Sequence, residues 1–210
     1  MTSGLFNQNI VIVLEGLPCV GKTSLAKIIA QEFNAVLVSE LPSKSSVKNK
    51  LRKVFYLNDL QKSKKAYNQK PVVVDRYFLS TLAFEKAFQA VYTGRAKKIT
   101  AIRNIYNSQN FRAQKLYKLL VRNKTLRCPN IVVYIYISPA ESIRRRRLRR
   151  TKIDENNPWL NKAFLKKFQD YCLRNIEFWY KIKPIIINGN LTIKEIKSIL
   201  EKEIAIKFKK

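Results

Sequence analysis

The stretch "LEGLPCVGKTS" (Leu14–Ser24) lies between a continuous apolar run and a segment whose apolar residues recur at helical spacing. Within it, residues 16–23 fit the pattern G-x-x-x-x-G-K-[ST]. Glycines let the backbone turn its N–H groups inward as a nest for anions, and the following helix N-terminus adds partial positive charge. The lysine of this pattern reaches the β- and γ-phosphates, and the hydroxyl residue binds Mg²⁺. The sequence therefore predicts a nucleotide phosphate loop made of Gly16, Leu17, Pro18, Cys19, Val20, Gly21, Lys22, Thr23 and Ser24.

Strand-length apolar runs alternate with helical segments along the whole chain. Such alternation is typical of a parallel sheet covered by helices on both faces, so we predict a three-layer α/β fold in a single domain spanning residues 1–210. Ligands bind such sheets at the carboxyl ends of the strands, where the phosphate loop lies. The predicted strands are 10–14, 35–38, 71–74, 131–137 and 184–188, and the predicted helices are 22–33, 45–67, 76–92, 100–123, 139–150, 160–181 and 192–207.

The composition excludes several kinds of chemistry. The chain has no histidine, which rules out His-based acid–base catalysis, Ser-His triads and His-ligated metals. Three widely spaced cysteines form no C-x-x-C pair, and their odd number argues against a disulfide framework. No apolar run approaches the roughly 20 residues that span a bilayer, and no signal peptide is visible. We therefore expect a cytoplasmic protein with no membrane partner.

The charge is strongly positive, with 42 Lys and Arg against 14 Asp and Glu, a formal net charge of +28. Such a field attracts polyanions, including nucleic acid. A compositional bias toward lysine explains the same numbers, because the basic residues are spread along the chain with one dense cluster at 144–150. Incidental nucleic-acid binding and mere bias both remain open interpretations of this charge.

The third predicted strand runs into "DRYFLSTLAFEKA" (residues 75–87), which resembles the D-R-[YFH]-x-x-S-x-x-A-[YF]-Q segment of the thymidylate kinase family. The stretch beginning at Glu15 is similar to the E-G-x-x-x-x-G-K-[ST] opening of the same family. "SELP" (residues 39–42) occupies the place of its R-E-P-G segment and keeps the glutamate and the proline. The resemblance runs from about residue 10 to residue 199, and extends more loosely to the nucleoside monophosphate and deoxynucleoside kinases.

This resemblance implies a kinase that transfers the γ-phosphoryl group of ATP to a nucleoside monophosphate, with dTMP as the first candidate and Mg²⁺ as the metal. It implies that Lys22 and Mg²⁺ hold the β- and γ-oxygens, with Thr23 and Asp75 at the metal, and that Arg76 holds the acceptor phosphate. The residues that it assigns to the acceptor's sugar and base are Tyr77, Ser80, Phe84 and Glu85, the last in place of the family's glutamine.

The arginine cluster lies where these kinases carry a lid, which we place at about residues 144–160. A transition state with spread negative charge calls for guanidinium groups supplied on closure. Since an α-helix has 3.6 residues per turn, six arginines cannot all face one way. Arg146 and Arg150 share a face and are our candidates for phosphate contact, although an entirely solvated or nucleic-acid-binding helix would carry the same sequence.

Two departures from the family pattern keep a second substrate class open. The segment after the fourth strand lacks the family's usual aspartate, and the helix before Asp75 lacks an evident base-contacting arginine. Deoxynucleoside kinases use the glutamate after the second strand as general base on a 5′-hydroxyl, and Glu40 could serve in that way. An acceptor phosphate is already deprotonated and needs no such base.

Other classes of function also fit parts of the sequence. A nucleic-acid-directed enzyme or binder would use the positive charge, although no strand carries clustered aromatic residues as stacking platforms usually do. A regulatory nucleotide hydrolase would need neither Arg76 nor the lid arginines. The helix after Asp75 has apolar residues on more than one face, which is compatible with either a homodimer or a wholly buried helix.

Overall fold

A computed structural model describes residues 10–39, 51–66, 70–92, 113–149 and 157–208. At its centre is a sheet of five parallel strands in the order β2-β3-β1-β4-β5. The strand order reverses at β1, whose neighbours are β3 on one side and β4 on the other. The crevice at such a switch point is the usual ligand site of open α/β sheets. The strands are β1 (Val11–Gly16), β2 (Val36–Val38), β3 (Val72–Asp75), β4 (Ile131–Tyr136) and β5 (Ile185–Asn188).

Helices cover the sheet, as expected when parallel strands are joined by crossover connections. Local signals fix several helix starts. Ser138 accepts a hydrogen bond from the backbone N–H of Glu141, and Asn161 accepts one from Phe164. The described α-helices are α1 (Lys22–Glu32), α2 (Leu51–Ala66), α3 (Phe78–Tyr92), α4 (Ala113–Arg122), α5 (Pro139–Leu148), α6 (Lys162–Tyr180) and α7 (Ile193–Phe208), and Pro158–Leu160 form one 3-10 turn.

The core lies on both faces of the three central strands. Every residue of β1 and β3 is buried, and so are the first five residues of β4. The edge strand β5 is mostly open, with only Ile187 buried. Helices α3 and α6 pack against each other over the carboxyl end of the sheet, where aromatic side chains dominate the contacts. Because the central strands are rigidly enclosed, the loops that leave their carboxyl ends start from fixed positions.

The predicted three-layer α/β fold with five parallel strands is confirmed. Two details differ at the third strand: Asp75 is its last residue, and α3 begins at Phe78 because Arg76 has a left-handed backbone that cannot continue a helix. Parts of predicted segments fall outside the described residues, namely 45–50, 100–112 and the lid residues 150–156. No helix in the described part of the chain is both long enough and apolar enough to cross a membrane.

Candidate active site

The loop between β1 and α1 has the backbone that the motif predicts. Gly16 has φ +141°, and a Cβ there would lie 2.4 Å from the carbonyl oxygen of Ile135, so only glycine fits. Gly21 and Cys19 also have positive φ, at +92° and +62°. Gly21, the residue that caps α1, has no side chain that could accept hydrogen bonds from the first N–H groups of the helix. The loop is therefore curled around a helix N-terminus, the arrangement that binds anions.

Lys22 is the buried cation of this loop. Its Nζ donates hydrogen bonds to the carbonyl oxygens of Gly16 at 3.2 Å and Leu17 at 2.6 Å. The side chain of Thr23, the next residue, is exposed except where it meets β3. A second element secures the loop, because Ser142 of α5 donates to the carbonyl oxygen of Pro18 at 2.8 Å. The phosphate loop thus carries its own ammonium group and is held in place from α5.

Asp75 meets the phosphate loop across the end of the sheet. The hydroxyl of Thr23 donates to its Oδ2 at 2.5 Å. Its Oδ1 is buried and has no hydrogen-bond partner among the described residues. A buried carboxylate oxygen without a partner is costly unless a cation or donor satisfies it. One carboxylate and one hydroxyl are also the hard oxygen donors that Mg²⁺ uses together with water and phosphate oxygens. These two residues therefore fit a magnesium ion.

Arg76 follows directly, and its backbone is left-handed with φ +59°. Its guanidinium donates to the hydroxyl of Ser80 at 3.3 Å and lies over two aromatic rings. The guanidinium carbon is 5.3 Å from the ring centroid of Trp159 and 5.7 Å from that of Phe168. Stacking on aromatic faces stabilises a guanidinium without neutralising its charge. The positive charge of Arg76 is therefore held one residue from the Asp75 carboxylate.

Glu15 forms a network that the sequence did not reveal. Its carboxylate is fully buried and accepts from the backbone N–H of Tyr77 at 3.2 Å and the hydroxyls of Ser80 at 2.5 Å and Tyr180 at 2.8 Å. Burial raises the pKa of Glu15, and the hydrogen bonds from Ser80 and Tyr180 oppose that rise. The signal in the sequence is a lone glutamate in an apolar strand, but its partner Tyr180 lies too far along the chain to be recognised.

An aromatic cluster lines the far side of Arg76. The ring of Phe84 packs 5.4 Å from that of Trp159 and 5.3 Å from that of Phe164, centroid to centroid. Phe84 and Trp159 are both half-buried, so part of each side chain remains exposed. Glu85, one residue beyond Phe84, is buried and accepts from the Gln89 amide at 3.5 Å. Flat apolar faces beside a cation suit an acceptor that has an aromatic ring and a phosphate.

Tyr77 has a different environment from the one that the resemblance implies. Its ring is 1% exposed and packs on the rings of Phe78 and Tyr180, with centroids 4.9 Å and 6.4 Å away. The left-handed turn at Arg76 directs the following side chain inward, toward the core. Tyr77 therefore supports the site from beneath in this structure, and Ser80 does so as well through its bond to Glu15.

The arginines of α5 differ in their surroundings. Arg144 and Arg145 both donate to Glu141, whose pKa they lower to about 2, and Arg145 also donates to the carbonyl oxygen of Gly189. In Arg146, by contrast, Nε is buried and has no hydrogen-bond partner among the described residues. Arg146 is thus the described arginine of this helix with an unused buried donor. Arg150 and Glu40, the other two residues proposed for phosphate contact or base catalysis, lie outside the described residues.

Comparison with known proteins identifies the fold. No family model and no curated protein sequence matches the chain. Among solved structures, a deoxyadenosine kinase from M. mycoides with bound dATP has a TM-score of 0.67 and 16% sequence identity, over 92% of this chain and 98% of that one. The same kinase with the products dCMP and dCDP gives 0.61 and 19%, over 94% and 100%.

A thymidylate kinase from Candida albicans is also similar, with a TM-score of 0.61 and 16% identity, over 96% of this chain and 94% of that one. At these identities the likeness shows the fold alone. The chain therefore has the fold shared by these nucleoside and nucleotide kinases, as the sequence predicted.

Proposed function

We propose that this chain transfers the γ-phosphoryl group of ATP to a nucleoside monophosphate, with dTMP as the first candidate. The observation that carries the proposal is the meeting of three groups at the carboxyl ends of β1 and β3. These are the curled phosphate loop, the Thr23–Asp75 pair joined at 2.5 Å, and the buried Arg76 beside it. Phosphoryl transfer depends mainly on positioning and charge neutralisation, and each of these groups supplies one or the other.

The donor side consists of the loop N–H groups, Lys22 and the metal-binding pair. The loop and the Lys22 ammonium bind the β- and γ-phosphate oxygens of ATP. Thr23 and Asp75 hold Mg²⁺, which neutralises the charge on those oxygens when it is bound. Asp75 Oδ1 has no other hydrogen-bond partner in the described chain, so holding the metal breaks no existing bond.

The acceptor side is formed by Arg76 and the aromatic cluster next to it. The guanidinium of Arg76 holds the acceptor phosphate and offsets its repulsion from the γ-phosphate. The exposed parts of Phe84 and Trp159 pack against the base, and Glu85, the residue after Phe84 on α3, completes this side of the acceptor site. Arg146, whose Nε is buried without a hydrogen-bond partner in the described part of the chain, supplies a further donor for the transferring group, together with Arg150.

A second candidate function is phosphorylation of the 5′-hydroxyl of a deoxynucleoside. It is favoured by the structural likeness to deoxyadenosine kinase, at a TM-score of 0.67. This reaction uses the same donor side but must remove a proton from the hydroxyl, for which Glu40 is the candidate base. The two functions therefore differ in the acceptor and in the need for Glu40.

A substrate panel separates the two. The full chain is incubated with ATP and Mg²⁺ and with each deoxynucleoside and each deoxynucleoside monophosphate, and products are scored by mass. We expect a diphosphate product, formed most readily from dTMP, and only a modest loss of kcat in a Glu40→Gln variant. Monophosphate products with loss of most of kcat in that variant would support the second candidate. ATP hydrolysis that no acceptor stimulates would contradict both and favour a regulatory nucleotide hydrolase.

The net positive charge of the chain calls for a separate experiment on DNA binding. If nucleic-acid binding is incidental, affinity for DNA collapses between low and moderate salt, and DNA leaves ATP turnover unchanged. DNA that stimulates ATP turnover or becomes phosphorylated at its 5′ end would instead point to a polynucleotide acceptor.

A further inference from the structure

The turn at Arg76 is stabilised by hydrogen bonds from residues outside the proposed phosphate-transfer site. Arg76 has φ +59°, a conformation that a residue with a side chain rarely adopts. On the sheet side, its N–H donates to the carbonyl oxygen of Leu14 at 3.0 Å, and the N–H of Tyr77 donates to Glu15. These bonds secure the amide groups of the turn. The two carbonyl groups of Asp75 and Arg76 need partners elsewhere.

Lys62 of α2 provides those partners. It is buried, with 2% of its surface exposed, and its Nζ donates to the carbonyl oxygen of Asp75 at 2.9 Å and to that of Arg76 at 2.7 Å. Both acceptors belong to the turn and are the carbonyl oxygens of two successive peptide groups. A single ammonium group therefore fixes the orientation of two successive peptide groups in the strained segment.

The ammonium interacts with the charge of a buried acid on the same helix. This acid is Asp59, which lies one turn earlier on α2. The carboxylate of Asp59 accepts from the hydroxyls of Tyr117 at 2.6 Å and Thr81 at 2.8 Å, which fix it from α4 and α3. Three helices thus converge on a cation that donates to two carbonyl oxygens of the turn. A buried charge is expensive, so its retention here calls for a role beyond filling space.

We propose that Lys62 is a positioning residue for the transfer reaction: by binding the Asp75 and Arg76 carbonyls it holds the left-handed turn that directs the Arg76 guanidinium at the acceptor. The inference rests on the proposed function, because it assigns Arg76 to the acceptor. Lys62 contacts neither nucleotide and acts through Arg76. Replacing Lys62 should weaken binding of the acceptor, while ATP binding by the phosphate loop is preserved.

The test compares Lys62→Met with Lys65→Met, a matched change at an exposed position of the same helix. Steady-state kinetics should show an acceptor KM at least tenfold higher for Lys62→Met, with the Kd for ATP in the absence of acceptor unchanged within twofold. Lys65→Met should behave as the unaltered chain, and Lys62→Arg, which keeps buried donors, should recover part of the loss. A lower melting temperature with both KM values unchanged would overturn the proposal, because it would show a merely structural role.

A double-mutant cycle asks whether Lys62 acts through Arg76. In an Arg76→Ala background, Lys62→Met should cause little further loss of kcat/KM, because the guanidinium that it positions is already gone. Losses that add in full would overturn the proposal. If Lys62→Met does not fold, the cycle is run with Asp59→Asn added throughout, so that no uncompensated buried carboxylate remains.

A crystal structure of Lys62→Met gives a readout that does not depend on any activity. The proposal requires that Arg76 leave the left-handed region or that its guanidinium leave Trp159 and Phe168. An unchanged Arg76 would overturn it. If instead the unaltered chain phosphorylated no acceptor while Lys62→Met shifted Arg76, the proposed function would fail and the positioning by Lys62 would stand.

Discussion

The ends of β1 and β3 each carry a buried carboxylate, and the two are treated differently by the fold. The strands are adjacent, with Leu14 paired to Asp75, so Glu15 and Asp75 lie on neighbouring strands at the same edge of the sheet. Both oxygens of Glu15 accept hydrogen bonds, from three donors in all. Asp75 has one oxygen bound to Thr23 and one buried oxygen with no hydrogen-bond partner among the described residues.

This difference separates a structural acid from one that is prepared for a ligand. A carboxylate that is enclosed and hydrogen-bonded at both oxygens is already satisfied by the protein, so its contacts indicate a role in stabilising the fold. A buried oxygen without a partner is unfavourable by itself and becomes favourable when a cation binds. Residue type and location do not distinguish Glu15 from Asp75. Their hydrogen bonds do.

The largest expected effect comes from Asp75→Asn. The change removes the negative charge at the metal-binding pair and keeps the size of the side chain. We expect kcat/KM to fall by roughly 100-fold to 1,000-fold, because metal-assisted charge stabilisation contributes several kcal/mol to such reactions. The free energy of unfolding, measured in urea, should change by about 1 kcal/mol or less, because one oxygen of Asp75 already lacks a hydrogen-bond partner among the described residues. Normal turnover by this variant would show that Asp75 is not at the metal.

The next effect is on stability and concerns Glu15→Ala. Removing this carboxylate leaves the Tyr180 and Ser80 hydroxyls and the Tyr77 N–H buried without their acceptor. We expect the free energy of unfolding to fall by about 3 kcal/mol, measured by urea denaturation. Glu15→Gln, which keeps the shape, should lose less. A stable Glu15→Ala protein without activity would break the comparison, because it would place Glu15 among the groups that act on the substrate.

Asp59 is a further buried carboxylate, and its contribution to stability should depend on pH. Burial raises its pKa from 3.8 to about 6, so the folded protein binds this proton more tightly than the unfolded chain. The stability that this group contributes is therefore full below pH 3.8 and is lost as the pH rises through about 6.

The measurement is urea unfolding of the unaltered chain and of Asp59→Asn between pH 4 and pH 7. The asparagine does not titrate, so its stability relative to the unaltered chain should improve as the pH rises, by about 2 kcal/mol over this range. Taking the difference between the two proteins removes the titration of all other groups that behave alike in both. Parallel curves would show that folding does not raise the pKa of Asp59.

The smallest expected effect concerns a buried donor without a partner, on Arg146, in place of a buried acceptor. Arg146 has a buried Nε without a hydrogen-bond partner among the described residues, whereas Arg147 on the same helix is exposed. Arg146→Ala should lower kcat about tenfold, which corresponds to about 1.4 kcal/mol of transition-state stabilisation. Arg147→Ala should leave kcat unchanged within about twofold. Equal losses in the two variants would indicate that the helix contributes only its general positive field.

Much of the fold could be predicted because its signals are local. The phosphate loop is encoded within eight residues, and the buried strands appear as short apolar runs. The partners of Glu15 could not be predicted, because Tyr180 is 165 residues away and approaches only through the packing of α6 on α3. Nor could the role of Lys62, since a lysine in a polar helix gives no sign of being buried until the helix is placed over the end of β3.

The hydrogen bond between Tyr180 and Glu15 also bears on how the molecule is made. The phosphate loop leaves the ribosome long before Tyr180 does, so the hydrogen bonds to Glu15 at the end of β1 stay incomplete until residue 180 has been synthesised. Until then the Glu15 carboxylate lacks its Tyr180 partner, and α6 has not yet packed against α3. Contacts between residues so distant in sequence form slowly, because the intervening chain must first be ordered. A nascent chain that stops before α6 would therefore be a substrate for chaperones and proteases, although it already contains the complete nucleotide motif.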